Sequence, residues 1–170
     1  MKQEAIPYEE VFQALNKEKI NYLVCGGVAV VLLGFARLTV DLDLIVGLEK
    51  ENLEKLYNIL VKLNYKPSIP IKKEEFFSKE KLAKLAQTKN MKVVSFYNTK
   101  DPFKVVDIGV NLPNINDILE KKRKIKVGNL SIPIILIDDL IKMKTDLARQ
   151  QDLIDVINLK RIREQKHEKD

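Results

Sequence analysis

Two acids set two residues apart in a branched and aliphatic run, Thr39-Val40-Asp41-Leu42-Asp43-Leu44-Ile45-Val46, restrict this chain more than any other feature. The alternation predicts a strand over 39–46, with Val40, Leu42 and Leu44 on one face and Thr39, Asp41 and Asp43 on the other. Period two sends both carboxylates to the same side of a sheet, with Cα atoms about 7 Å apart. Like charges held side by side on a partly buried surface repel and resist desolvation, so the arrangement costs stability unless a cation or a basic partner neutralises it. A hard divalent cation fits, because Mg²⁺ accepts carboxylate oxygens, keeps several waters and completes its shell from substrate phosphates. For a D-x-D pair taken alone, an exposed strand face without chemistry competes with this reading.

Two further features bear on the choice. Asp107 interrupts Val105-Val106-Asp107-Ile108-Gly109-Val110, a strand otherwise free of charge, and its same-face neighbour is Gly109, where another group can come close. If that strand lies beside the first, three acids cluster where two metals about 3.5–4 Å apart can bind; the alternative is a single acid satisfied by a nearby Lys or Arg. Upstream, the apolar run Tyr22 to Cys25 ends at Gly26-Gly27 and leads into Val28 to Phe35, a short buried helix closed by Gly34. A strand–glycine–helix junction offers backbone N–H groups and a helix dipole to a triphosphate. The G-x-G-x-x-G dinucleotide fingerprint is absent, and two glycines are otherwise simply a turn.

The remaining elements follow from periodicity. Helices are expected over 8–17, 49–63, 79–87, 114–124, 137–147 and 149–163, and a connector over 66–73. A hairpin is expected from strands 91–97 and 103–110, and one or two short strands around Gly128-Asn129. Tyr57 and Phe96 read as core aromatics, and Cys25 as a small apolar strand residue. The chain of 170 residues is sized for one domain, expected over 1–159, followed by a charged tail, 160–170, that frays.

Composition narrows the chemistry. One cysteine and one histidine, His167, exclude a disulfide framework and a structural zinc site, so any metal is held by oxygen. The polar start, Met1 to Glu10, and apolar stretches far short of the roughly 20 residues of a membrane span point to a cytoplasmic protein without a membrane partner. A net charge of +6 suits a phosphate-bearing partner as well as it suits a lysine-rich solubilising surface.

Leu23-Val24-Cys25-Gly26-Gly27, then after thirteen residues Asp41-Leu42-Asp43-Leu44, and finally Val106-Asp107-Ile108 resemble the three-part signature of the DNA polymerase beta-like nucleotidyltransferase superfamily. Gly34, Arg37 and Thr39 further resemble its small bacterial and archaeal members, which include abortive-infection and toxin–antitoxin types. Asp139 to Lys144 and Arg149-Gln150-Gln151-Asp152-Leu153-Ile154-Asp155 are similar to the C-terminal helices of those proteins. The resemblance implies an α/β (α+β) fold with a mixed central sheet flanked by helices. It further implies Mg²⁺ or Mn²⁺ on Asp41, Asp43 and Asp107, and nucleotide phosphates on Gly26-Gly27. A nucleoside monophosphate would pass from an NTP such as ATP to an acceptor with release of pyrophosphate, Asp107 assisting deprotonation of the acceptor. Arg37 and Lys144 are the candidates for neutralising the triphosphate, with Thr39 beside them. Arg149 divides evenly between that role and a helical salt bridge with Asp152 or Asp155, and Lys142 reads as solvated.

The acceptor, whether RNA, protein or small molecule, is left open, because after Leu159 only a short charged segment remains. The basic run Lys121-Lys122-Arg123-Lys124 has no interleaved aromatics for base stacking and reads as a solvated helix end. Two other functions compete: a non-catalytic binding protein, such as half of a toxin–antitoxin pair with a cognate partner, and a glycosyltransferase using Asp41-Leu42-Asp43 with a nucleotide-sugar. Intact carboxylates argue against the first, and Gly26-Gly27 and Asp107 against the second.

Overall fold

The computed structural model describes residues 6–89 and 91–167. Seven strands form one mixed sheet: β1 (Tyr22–Cys25), β2 (Leu42–Val46), β3 (Tyr65–Pro67), β4 (Val93–Asn98), β5 (Val105–Gly109), β6 (Arg123–Val127) and β7 (Leu130–Ile134). Their spatial order is β3-β4-β5-β2-β1-β7-β6. β2 runs antiparallel to β1 and parallel to β5, while β4–β5 and β6–β7 are hairpins. The three segments singled out in the sequence are therefore neighbours at the centre of the sheet.

Among the described residues, eight helices pack around it: α1 (Glu9–Lys17), α2 (Gly26–Leu33), α3 (Lys50–Lys62), α4 (Lys73–Phe76), α5 (Lys79–Thr88), α6 (Ile115–Lys121), α7 (Ile137–Leu147) and α8 (Gln150–His167). Helix α1 buries Val11, Phe12 and Leu15 at helical spacing and packs against α3, whose Leu53, Leu56, Tyr57 and Leu60 form its inward stripe. Helix α2 lies on β1 and β2 and meets α8, which runs along α7. α2 is apolar almost all round, as its near-complete burial requires, and ends where Gly34 takes φ +118°.

Four boundaries depart from expectation, each for a local reason. β2 begins at Leu42 rather than at 39, so Asp41 stands just outside the ladder; the Val40 carbonyl is taken by the Tyr8 hydroxyl instead of by a neighbouring strand. The expected connector 66–73 contains β3 and leads into α4, because Phe76 is fully buried against Tyr57 and Phe96, with ring centroids 5.6 and 5.4 Å away. Lys122 is extended, ending α6 early, and the basic run passes into β6, where exposed Arg123, Lys124 and Lys126 decorate an edge strand. Charges of this kind discourage pairing with another chain. Finally, α8 runs on to His167, with an Arg163–Asp138 ion pair of 2.6 Å tying it to α7, while residues 168–170 of the expected charged tail lie outside the described residues.

Because α4 is a single turn, too short to be stable alone, its place on the sheet depends on the buried ring of Phe76. Phe76→Ala should lower unfolding free energy in urea by about 3–5 kcal/mol, the usual cost of deleting a buried aromatic.

Candidate active site

The parallel pairing of β2 and β5 sets Asp43 directly beside Asp107, in register with Leu42↔Val106 on one side and Leu44↔Ile108 on the other. Matched positions on adjacent strands share a face, so the two carboxylates project together while Leu42, Leu44, Val106 and Ile108 enter the core. Asp41 is exposed at the open end of β2.

Antiparallel pairing of β1 with β2 brings Cys25 opposite Asp43 and therefore lays the Gly26-Gly27 junction against the acids. A Cβ on Gly26 would lie 1.9 Å from Asp43 Oδ2, and φ at Gly26 is +63°, so both space and backbone exclude a side chain. A Cβ on Gly27 would meet Thr39 Oγ1 at 2.4 Å and the Arg37 guanidinium at 3.0 Å. Bare backbone at the start of α2 is thus enclosed by Asp43, Thr39 and Arg37. The Cys25 thiol donates to the Asp43 carbonyl at 3.6 Å, and burial pushes its pKa up, away from thiolate chemistry.

The electrostatics are those of crowded anions. Burial, then the charges of Asp107 and Asp41, push Asp43 up from 3.8 to about 6, against the opposing pull of the Gly27 amide and Lys144. Asp107 is also raised, by burial and by Asp41, while Ser95, its register partner on β4, opposes the rise. Asp107 Oδ1 is buried with no hydrogen-bond partner among the described residues. An orphaned carboxylate oxygen is costly, and it faces the same place as Asp43. Among the described residues, however, no three His, Cys, Asp or Glu side chains converge tightly enough to hold an ion by themselves. The expected three-acid cluster is thus not a ready-made cage. Its open, all-oxygen donor set still fits Mg²⁺ or Mn²⁺, which take one or two carboxylates and draw the remaining ligands from water and substrate phosphate.

The C-terminal helices bring a second charged group to the same neighbourhood. Lys144 on α7 is buried, with its Nζ 2.7 Å from Asp155 Oδ2 and 3.2 Å from Asp152 Oδ1 on α8. Arg37 Nη1 reaches the same Asp155 oxygen at 2.6 Å, and Arg149 Nε bonds Asp152 at 2.6 Å. Asp155 is fully buried and Asp152 nearly so. Burial pushes Asp152 up, but Arg149 and Lys144 outweigh it and hold it below the usual carboxylate range. Arg37 and Lys144 therefore stand beside the glycine junction in the grip of Asp155, and Arg149 makes the helical salt bridge while keeping an exposed side chain.

Sequence reasoning passed over two contributors. Asp155 was noted only as a possible partner for Arg149; its ligation of Arg37 spans more than a hundred residues and has no local signal. Tyr8, the residue before α1, was read as part of a surface helix. Its hydroxyl instead lies between β5 and the segment leading into β2, accepting from Val105 N–H at 3.1 Å and donating to the Val40 carbonyl. Burial, together with Asp41, Asp101 and Asp107, raises the phenol pKa, so it stays a donor.

No protein-family model matches the chain, and no curated protein sequence matches it significantly. Solved structures do match. The lincosamide antibiotic adenylyltransferase LnuA, lincomycin-bound, superposes with TM-score 0.61 at 18% identity, over 91% of this chain and 96% of LnuA. ANT(2'')-Ia in complex with adenylyl-2''-tobramycin gives TM-score 0.56 at 11% identity, over 90% of this chain and 84% of that protein. An antigenic nucleotidyltransferase-like protein from Paracoccidioides brasiliensis gives TM-score 0.52 at 14% identity, over 88% and 71%.

Two predictions follow from this geometry. Folded Asp43 binds its proton more tightly than unfolded Asp43, so its contribution to stability falls as pH rises from about 4 to 6 and stays low above that window. Asp43→Asn removes this slope: its melting temperature should exceed that of the wild type at pH 7.5, by the equivalent of up to ~3 kcal/mol, and match it near pH 4. Asp155→Ala strips the carboxylate from buried Lys144 and from Arg37, and should cost about 3–5 kcal/mol in urea unfolding. Superposition over about nine-tenths of the chain on these solved structures shows that this chain has the nucleotidyltransferase fold.

Proposed function

We propose that the protein is a metal-dependent nucleotidyltransferase that moves a nucleoside monophosphate from an NTP to a hydroxyl of a small-molecule acceptor. The observation that carries this reading is the in-register placement of Asp43 beside Asp107, with the bare Gly26-Gly27 backbone against Asp43. Acid pair and phosphate cradle are then parts of one site.

Asp41, Asp43 and Asp107 would hold Mg²⁺ or Mn²⁺, which when bound neutralises triphosphate charge and polarises the reacting oxygens. The chain's own groups do the rest. Backbone N–H groups at the start of α2 take the phosphates, with no side chain in the way. Arg149, exposed and close enough to feel Asp43, adds positive charge at the mouth. Asp107, half-buried and with its pKa raised, takes the proton from the acceptor hydroxyl. The acceptor oxygen bonds to the α-phosphorus, the bond from that phosphorus to the bridging oxygen breaks, and pyrophosphate leaves with the electron pair.

The small-molecule acceptor is supported by the likeness to LnuA, a lincosamide antibiotic adenylyltransferase with lincomycin bound, which is matched over 96% of its length. RNA or protein acceptors would draw on the basic β6 edge, which lies at the far side of the sheet, separated from β2 by β1 and β7.

Incubation with each α-labelled NTP, Mg²⁺ or Mn²⁺, and separate pools of hydroxylated small molecules, RNA and protein tests this reading. Label should appear in the small-molecule pool, and Asp41→Asn and Asp107→Asn should each reduce transfer at least about a hundredfold while the protein stays folded. Undiminished transfer in both variants would remove the proposed site, and label confined to RNA or protein would overturn the acceptor class.

A further inference from the structure

We infer that Tyr8 is a positioning residue: its phenol hydroxyl, wedged into the open end of the β2–β5 ladder, fixes where Asp41 stands relative to Asp43 and Asp107. This rests on the proposed metal-dependent reading of the acids and adds a residue that the signature motifs do not contain.

The pairing pattern shows what the hydroxyl does. β2 and β5 pair from Leu42↔Val106 onward, and the next rung back would match Asp41 with Val105. In a parallel ladder that rung requires Val105 N–H to bond the Val40 carbonyl. Here Val105 N–H donates to Tyr8 Oη at 3.1 Å, and Tyr8 Oη donates to the Val40 carbonyl, with the Val105 carbonyl also within reach at 3.0 Å. The phenol oxygen therefore relays the missing bond, and the two strands are held apart where Asp41 emerges. Direct closure of that rung would bring Asp41 against β5 and narrow the space between the carboxylates.

The protein maintains this wedge at a cost. Tyr8 is a bulky residue with φ +61°, a conformation disfavoured for any side chain with a Cβ. Burial of its ring, at 5% exposure, and the hydroxyl contacts offset the strain. A second contact fixes the approach of α1: Lys104 Nζ, next to Val105, pairs with Glu10 Oε1 at 2.7 Å.

The test separates positioning from general stability. Tyr8→Phe keeps the ring and deletes the hydroxyl, while Glu10→Gln loosens the same docking of α1 without touching the ladder. Binding of Mn²⁺ alone, followed by electron paramagnetic resonance, should weaken about tenfold in Tyr8→Phe, the usual scale for a group that orients metal ligands, and stay unchanged in Glu10→Gln. In wild-type protein the Tyr8 ring ¹³Cζ resonance should shift on adding Mg²⁺. This arm stands even if Tyr8→Phe folds poorly. Wild-type Mn²⁺ affinity in Tyr8→Phe, or equal losses in both variants, overturns the positioning role while leaving the metal reading intact. A ¹³Cζ resonance indifferent to Mg²⁺ does the same. Wild-type Mn²⁺ binding in Asp43→Asn instead overturns the metal reading, and the inference with it.

Discussion

Everything about this site depends on one strand pairing: β5 lies parallel to β2 with Asp107 level with Asp43. Forming it requires a crossover of nearly sixty residues, through α3, β3, α4, α5 and β4. The pairing is stabilised from the other face, where Leu42, Leu44, Val106 and Ile108 are all essentially buried. A slip of β5 by one residue would turn Asp107 into the core, away from Asp43, and expose Val106 and Ile108, so the hydrophobic pattern that folds the sheet also fixes which carboxylates meet. The anion repulsion at Asp43 is the electrostatic cost of that register, borne by the apolar contacts behind it.

The ion-pair group on α7 and α8 answers a related problem. Lys144 and Asp155 are too buried to exist singly, and each is satisfied by the other together with Asp152 and Arg37. The group also ties the loop after α2 to the C-terminal helices. Since Arg37 and Thr39 enclose the Gly27 backbone, the shape of the glycine junction is tied to α8 through Asp155.

Much of this was legible in the sequence, and the limits have identifiable causes. The strands carrying Asp43 and Asp107, the glycine turn before α2 and the β4–β5 hairpin are each announced by local periodicity and turn residues, whereas around Gly128-Asn129 only one or two short strands are. Tyr8, by contrast, looks like one more aromatic near a helix start, because a hydroxyl that bridges two strands leaves no trace in spacing. The end of β2 at Leu42 was missed for the same reason: the Val40–Asp41 segment has strand composition, but its hydrogen bond goes to a side chain. Asp155 was visible as a motif residue but not as the partner of Arg37 and Lys144, since that contact is made only once α8 folds back over α2. The turn at Lys73–Phe76 is held in place by the contacts of Phe76 with rings from α3 and β4, which no local spacing announces.

Counting charge around the glycine junction explains how a site so rich in acid can attract a polyanion. Asp43, Asp107 and Asp41 would repel a triphosphate arriving alone, whereas three cations, Lys144, Arg37 and Arg149, stand against two carboxylates, Asp152 and Asp155, leaving one positive charge on the opposite side of the cradle. Of the three cations, Lys144 is committed to its buried partners and Arg37 is largely covered, while Arg149 keeps 72% of its side chain in solvent. A phosphate can therefore approach Arg149 without first breaking the buried pairs. The carboxylates, for their part, become compatible with phosphate only when a divalent ion lies between them, because each acid and each phosphate oxygen then faces a cation instead of another anion. On the proposed reading, donor and metal would enter as a complex.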